Sequence, residues 1–333
     1  MLNRRNFLTA AVGVAAATGL AACAKKDDGD STSSGGDGKI VLGFSQVGSE
    51  SGWRSANTDS VKAAAKEAGY NLKFSDAQQK QENQISAIRS YITQGVDVIA
   101  FSPVVVTGWD AVLKEAKAKK IPVVLTDRSV ETSDESLYVT LVGSDFTDEG
   151  RRAGKILEKV LEKAGHKGAV KIAQLEGTTG AAPAIERAKG FKEIMDADHA
   201  SDWKIVVSQT GDFTRAGGKQ VMAAFLQSNP DINVLFAHND DMAIGAIQSI
   251  EAAGKKPGKD ILIVSIDGVK DGFIAMSEGK INAIVECNPL LGPQLMEVVK
   301  KVKDGETVER WIKTKEGDFM QDQAKAALPT RKY

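Results

Sequence analysis

From Lys39 onward, short apolar runs alternate with segments of helical pattern, and this alternation constrains the fold more than any other feature. Strand then helix, repeated, is the pattern of βαβ units, which build parallel sheets covered by helices on both faces. The candidate strands are Ile40–Phe44, Leu72–Ser75, Val98–Phe101, Val123–Thr126, Tyr138–Val142, Lys171–Leu175, Ile205–Gln209, Val234–Ala237, Ile261–Ile266 and Ala283–Val285. About ten parallel strands in one sheet would be unusual, so two sheets of roughly five or six are expected. The length of 333 residues allows this division, at about 100–200 residues per domain. Between strands, the stretch from Ala56 to Ala68 is rich in Ala, Lys and Glu and stops at Gly69, and that from Gln81 to Gln94 stops at Gly95. Glycine is favoured just past a helix end. The fold class expected is therefore α/β, with the same strand-helix rhythm in both halves.

The first 38 residues do not fit that rhythm. Residues 1–22 have the parts of an export signal: basic Asn3-Arg4-Arg5, an apolar stretch from Phe7 to about Ala17, then small residues up to Cys23. The Arg4-Arg5-Asn6-Phe7-Leu8 run resembles a twin-arginine signal. The apolar stretch is shorter than the roughly 20 residues of a spanning helix. Leu20-Ala21-Ala22-Cys23 resembles a bacterial lipobox, in which the Cys becomes the lipidated first residue. The alternative is plain cleavage near Ala22 that leaves Cys23 an idle thiol. Residues 24–38, AKKDDGDSTSSGGDG, read as a flexible spacer because almost nothing in them is apolar. A disulfide between the two cysteines, Cys23 and Cys287, is not expected from such different contexts.

Forty-three Lys and Arg against 44 Asp and Glu leave a formal net charge of -1, so there is no cationic surplus to neutralise a nucleic-acid backbone. More informative is what the strands run into. Ile40–Phe44 leads to Ser45-Gln46, then Glu50, Trp53 and Arg54; Val123–Thr126 ends in Asp127-Arg128; Val234–Ala237 ends in His238-Asn239-Asp240; Ile261–Ile266 ends in Asp267-Gly268. In open α/β sheets ligands bind beyond the carboxyl ends of strands, so these groups are expected to face one crevice. Any one of them alone reads equally as a helix N-cap or turn residue.

The set suits a neutral polyol, whose hydroxyls both donate and accept. Asp127, Asp267 and Glu50 supply acceptors, Arg54, Arg128 and Arg187 supply donors, and Asn239 supplies both. Their formal charges cancel. Trp53 and Phe213 are the candidates for a flat ring against the C–H face of a sugar, or else plain core. Enzymatic motifs are missing: the sequence has no Gly-x-Ser-x-Gly elbow, no His-Glu-x-x-His helix and no P-loop. No catalytic residue, metal ligand or cofactor is expected. His166 and His199 sit in polar segments, and His238 reads as a packing residue. Gly177-Thr178-Thr179-Gly180 reads as a tight strand-to-helix turn rather than a dinucleotide fingerprint.

Several segments together resemble the type I periplasmic sugar-binding family: Gly43-Phe44-Ser45-Gln46 with Trp53-Arg54, Ile121-Pro122-Val123 leading to Asp127-Arg128, Glu186-Arg187 before Gly190-Phe191, Asp212-Phe213, Asn239-Asp240-Asp241-Met242 and Asp267-Gly268. The resemblance covers nearly all of residues 39–333 and is strongest to galactofuranose-type members, through FSQVGSESGWR, QQKQENQI, GDFTR and AHNDDM. It implies two Rossmann-like, doubly wound domains joined by three crossover segments, residues 39–142 with 287–313 and residues 143–286 with 314–333. It implies a monosaccharide held between them by Asp127, Arg128, Arg187, Asn239 and Asp267, with Glu50 and Arg54 matching the galactofuranose-type first loop. In ribose binders that loop carries an Asn and paired aromatics, where Trp53-Arg54 stands here. A late Gln contact of ribose binders aligns with Cys287, beside Glu286, and its role is left open. The function so implied is that of a monomeric, extracytoplasmic, lipid-anchored binding protein, in the periplasm or on the outer face of the cell membrane. It would deliver sugar to the permease subunits of an ABC importer. A chemosensory receptor and a cleft enzyme are the alternatives.

Overall fold

The computed structural model describes residues 38–333. The export signal, the lipobox at Cys23 and the spacer as far as residue 37 lie outside the described residues. The first half runs β1 (Val41–Gln46), α1 (Gly52–Glu67), β2 (Asn71–Asp76), α2 (Gln81–Gln94), β3 (Val98–Phe101), α3 (Asp110–Ala118), β4 (Val123–Thr126) and β5 (Thr140–Gly143). The second runs α4 (Phe146–Lys163), β6 (Val170–Glu176), α5 (Ala182–Asp198), β7 (Trp203–Thr210), α6 (Arg215–Ser228), β8 (Val234–Ala237), α7 (Asp240–Ala252), β9 (Leu262–Asp267), α8 (Lys270–Ser277) and β10 (Ala283–Glu286). The chain ends with α9 (Gly292–Lys303), β11 (Trp311–Lys313), β12 (Asp318–Met320) and α10 (Ala324–Ala327).

Two six-stranded sheets result, ordered β11-β5-β4-β3-β1-β2 and β12-β10-β9-β8-β6-β7. Apart from the edge strands, the second order is the first displaced by five, so the duplicated rhythm of the sequence is a duplicated topology. The central strands β3, β4, β8 and β9 are buried along their whole length, which fits their largely apolar character, because helices cover both faces. In each sheet the strand order reverses beside β1 or β6, the switch point at which such sheets bind ligands.

All ten predicted strands are present with small shifts in their ends. The short edge strands β11 and β12 were not foreseen. WIK and DFM have three residues each, too few to establish a period of two. β11 pairs in parallel with β5, whereas β12 is antiparallel to β10, so the second sheet is not wholly parallel. Helix α1 begins earlier than composition suggested, because Ser51 caps it by accepting the Arg54 amide at 3.1 Å. The candidate Gly177–Gly180 turn does join β6 to α5.

Three segments connect the sheets: β5 to α4, β10 to α9, and β11 to β12. They are tied side by side. Ser144 Oγ lies 3.1 Å from Thr314 Oγ1 and 3.5 Å from Cys287 Sγ. Glu316 Oε1 accepts hydrogen bonds from Ser144 Oγ, from Thr314 Oγ1 at 2.8 Å and from the Asn288 amide at 3.0 Å. One carboxylate thus joins all three crossings.

Helices α4 and α5 touch backbone to backbone, which only glycine permits. A Cβ on Gly190 would lie 1.9 Å from the Thr147 carbonyl oxygen, and one on Gly150 would lie 2.2 Å from that of Arg187. Gly190→Ala should therefore force the helices apart and cost about 1–3 kcal/mol. A fall of several degrees in the thermal midpoint is expected, and an unchanged midpoint would contradict this packing.

Candidate functional site

The carboxyl ends of the strands from both sheets meet around one small cavity. All nine residues predicted from sequence line it: Glu50, Trp53, Arg54, Asp127 and Arg128 from the side of the first sheet, Arg187, Phe213, Asn239 and Asp267 from the second.

Arg54 organises the first half. Its guanidinium reaches Asp127 Oδ2 at 2.7 Å, Glu50 Oε1 at 3.1 Å and Gln46 Oε1 at 3.1 Å. Ser102, one residue past β3, also donates to Asp127 Oδ2, at 2.9 Å. Despite burial, which opposes its charge, the Asp127 and Glu50 carboxylates raise the Arg54 pKa. Arg128 fares differently. Burial and the neighbouring Arg54 charge lower it to about 10, and its guanidinium lies 5.3 Å from the Phe213 ring centroid.

In the second half, Arg187 projects from α5 and donates to Glu149 Oε2 at 2.7 Å and to the His238 carbonyl, with Asp267 Oδ1 3.6 Å away. Asn239 carries both of the roles its position allowed. It caps α7 by accepting the Met242 amide at 2.9 Å and donates to the Phe213 carbonyl at 3.1 Å, while still bordering the cavity. Trp53 stands on α1 but packs among the apolar residues of the second domain, and its indole N–H donates to the Cys287 carbonyl at 2.7 Å.

Two polar atoms inside this lining have no hydrogen-bond partner in the protein, Glu50 Oε2 and Arg128 Nε, the latter 3.6 Å from Asp127 Oδ2. An unpaired buried polar atom costs about 1–3 kcal/mol, and one of each kind here, an acceptor and a donor, is what a hydroxyl answers. Three of the nine residues have left-handed backbone: Asp127 at φ 64°, Phe213 at φ 60° and Asp267 at φ 122°. Such conformations cost of order 1–3 kcal/mol each and concentrate at ligand sites. The neighbours make room for them. A Cβ on Gly143 would lie 2.8 Å from the Asp127 carbonyl oxygen, and one on Gly177 would lie 1.8 Å from the Phe213 ring.

Sequence reasoning missed Phe146, Ser102 and Glu149. Ser102 follows a strand and the same rule would have found it. Glu149 sits in the first turn of α4, where an acidic residue reads as a complement to the helix dipole. His238 is fully buried beside Phe236, its rings tilted at 5.0 Å, and burial holds its imidazole well below the ordinary value. It packs as a neutral side chain. Among the described residues, Glu149, Cys287 and Glu316 bring potential metal-ligating atoms within 4.8 Å of one another. Arg187 pairs with Glu149 and Arg152 lies 3.5 Å from Glu316, so cations of the protein already answer both carboxyls.

Residues 42–307 match the periplasmic binding protein domain family. The chain belongs to that family. The galactofuranose-binding protein YtfQ of Escherichia coli K12 is 48% identical over 297 residues, 88% of this chain and 92% of its own length. A Mycobacterium smegmatis protein solved with β-D-fucofuranose is 61% identical with a TM-score of 0.85, covering 88% of this chain and 95% of the other. The binding component of the arabinose ABC transporter from Shewanella sp. ANA-3, solved with α- and β-L-arabinofuranose, is 50% identical with a TM-score of 0.82, covering 88% and 96%. The two lobes and the cleft between them are the family's architecture.

Buried carboxyls dominate the electrostatics of this cleft. Burial pushes Glu149 up to about 8 against the pull of Arg187, and Asp240 up to about 7 against the hydrogen bond from Ser265. Asp267 is also raised well above the usual carboxylate range, again by burial. A raised carboxyl holds a proton in the folded state that the unfolded chain, at about 4, has released. Stability from this source is therefore lost as pH rises through the interval between about 4 and 8. Glu149→Gln should flatten that decline, so that denaturation midpoints measured at pH 5 and pH 8 differ less in the variant than in the native chain.

Proposed function

We propose that this chain is the extracytoplasmic binding component of an ABC-type sugar importer. It takes one furanose monosaccharide into the cavity between its lobes and presents the closed form to permease subunits. In this reading residues 39–142 with 287–313 form one lobe and residues 143–286 with 314–333 the other. The chain works as a monomer, exported by residues 1–22 and tethered through a lipid on Cys23.

The carrying observation is the cavity lining. Three guanidinium groups, Arg54, Arg128 and Arg187, oppose three carboxyls, Glu50, Asp127 and Asp267, in one cavity, with Glu50 Oε2 and Arg128 Nε making no hydrogen bond to the protein. A neutral, hydroxyl-rich ring fits such a set, because each hydroxyl answers an acceptor and a donor together. Trp53 and Phe213 offer ring surface to its C–H groups. Relatives 48–61% identical are named for, or solved with, galactofuranose, fucofuranose and arabinofuranose, which favours a five-membered ring.

Binding without turnover follows from the same groups. Cys287 borders the cavity, but burial raises its thiol well above the ordinary value. A thiol kept protonated is a poor nucleophile. Sugar recovered after prolonged incubation and examined by mass spectrometry should be unchanged, and a new product would overturn the binding reading.

Removing one partner of a buried pair leaves the other unpaired, at about 1–3 kcal/mol and more for charged groups. Asp127→Ala and Asp267→Ala should therefore weaken binding roughly tenfold to a thousandfold in calorimetric titrations against furanose-forming sugars. Arg54→Ala should also change the ranking of sugars, because it stands in the first loop. If all three variants bind the cognate sugar like the native protein, the site lies elsewhere. Cys23→Ser should release folded, sugar-binding protein from membranes and abolish incorporation of labelled fatty acid. A native chain that is already soluble and unlabelled would refute the anchor.

A further inference from the structure

Helix α1 carries Trp53 and Arg54 into the cavity, yet its own first turn has no acidic residue to complement the positive end of its dipole. The missing carboxylate comes from the other lobe. Asp241, in the first turn of α7, accepts the backbone N–H of Gly52 at 2.8 Å across 189 positions of sequence. Gly52 is the first residue of α1, one of the four whose amides have no partner inside the helix. The other oxygen of Asp241 is engaged within its own lobe, by Arg215 Nε at 2.6 Å. Asp241 is buried at 3% exposure, so this is a desolvated, charge-assisted contact rather than a surface pair.

We propose that Asp241 is a positioning residue for sugar binding: its carboxylate caps α1 from the opposite lobe, latching the closed form and fixing the start of the helix, which presents Trp53 and Arg54 beside Glu50. The proposal rests on the reading of the cleft as a sugar site. When the lobes separate, Gly52 N–H and Asp241 part, and Asp241 keeps only Arg215. Closing restores a helix cap as well as the cavity. Asp240, its neighbour, acts inside one lobe, accepting the amides of Gly268 at 2.8 Å and Val269 at 2.9 Å. The two adjacent aspartates thus divide the work, one holding a loop of its own lobe and the other reaching across.

Two substitutions test the contact from its two sides. Asp241→Asn keeps the shape and removes the charge. Gly52→Pro keeps the helix, since proline suits the first helical position, but removes the donor and puts its ring where the hydrogen pointed. There is room for the Cβ, whose nearest neighbour, Asp241 Oδ2, would be 3.5 Å away. Each variant should weaken binding of L-arabinose or D-galactose about 3- to 30-fold, mainly through faster dissociation. In the Gly52→Pro background, Asp241→Asn should have little further effect. Asp271→Asn, which removes only the second partner of Arg215, should bind like the native protein. Small-angle scattering without sugar should show a more open average shape in Asp241→Asn and Gly52→Pro than in the native chain. Native affinity and dissociation rate in both variants, or full additivity in the double variant, would overturn the latch while leaving the sugar site intact. If the native protein binds no sugar, the functional reading falls and scattering alone decides: unchanged shapes would refute the latch, more open ones support it.

Discussion

The matching of buried guanidinium groups with carboxyls inside a dry cleft is the constraint on which the rest of this molecule depends. Arg54, Arg128, Arg187, Glu50, Asp127 and Asp267 are all nearly inaccessible to water. An isolated buried ion costs several kcal/mol even after relaxation, so each must be matched by a partner or by ligand. Arg54 meets this with hydrogen bonds to Asp127 and Glu50, and Arg187 with Glu149. Arg128 is the least well matched, its nearest carboxylate 3.6 Å away and its pKa lowered to about 10. The imbalance is local and faces the cavity, and that is where a hydroxyl-bearing guest gains most.

Holding those groups in place takes backbone strain, and the strain falls on the residues that end strands. Asp127 continues past β4 with positive φ, its amide bonded to the Val142 carbonyl at 2.8 Å, and it fits only because Gly143 has no side chain. Phe213 turns at φ 60° over Gly177 in the same way. Asp tolerates such a conformation better than most residues, whereas Phe213 has no turn propensity of its own. Rigid sheets on both sides over-determine these conformations, which is the condition under which such strain persists.

The architecture was legible because it rests on long patterns. Ten mostly apolar runs of three to six residues survive any local ambiguity, and the polar groups that follow four of them report which end of the sheet binds. The edge strands Trp311–Lys313 and Asp318–Met320 were illegible because three residues carry no period, and their pairing is fixed by what lies beside them in space. Of the site, everything attached to a strand end or resembling a known motif could be read. Glu149 could not, since a glutamate in a helical first turn has an ordinary explanation, and only α4 packing against α5 at Gly150 and Gly190 brings it to Arg187. Asp241 could be read as part of a motif, but its contact with Gly52 joins two lobes whose mutual placement no local pattern encodes.

Closure draws on two kinds of interaction, and they do different work. Asp241 accepting from Gly52 and Val106 donating to the Gly180 carbonyl at 2.9 Å are both made between protein groups of the two lobes. They favour the closed form equally for every guest. A ligand moves the equilibrium only by its differential affinity for the two forms, and that depends on groups left open to it, such as Glu50 Oε2 and Arg128 Nε. Contacts of the first kind set how much of any guest's binding free energy is spent on bringing the lobes together, and so scale all affinities alike. Contacts of the second kind rank one sugar against another. Selectivity in this chain therefore resides in the groups that line the cavity, whereas contacts between the lobes act on every guest alike.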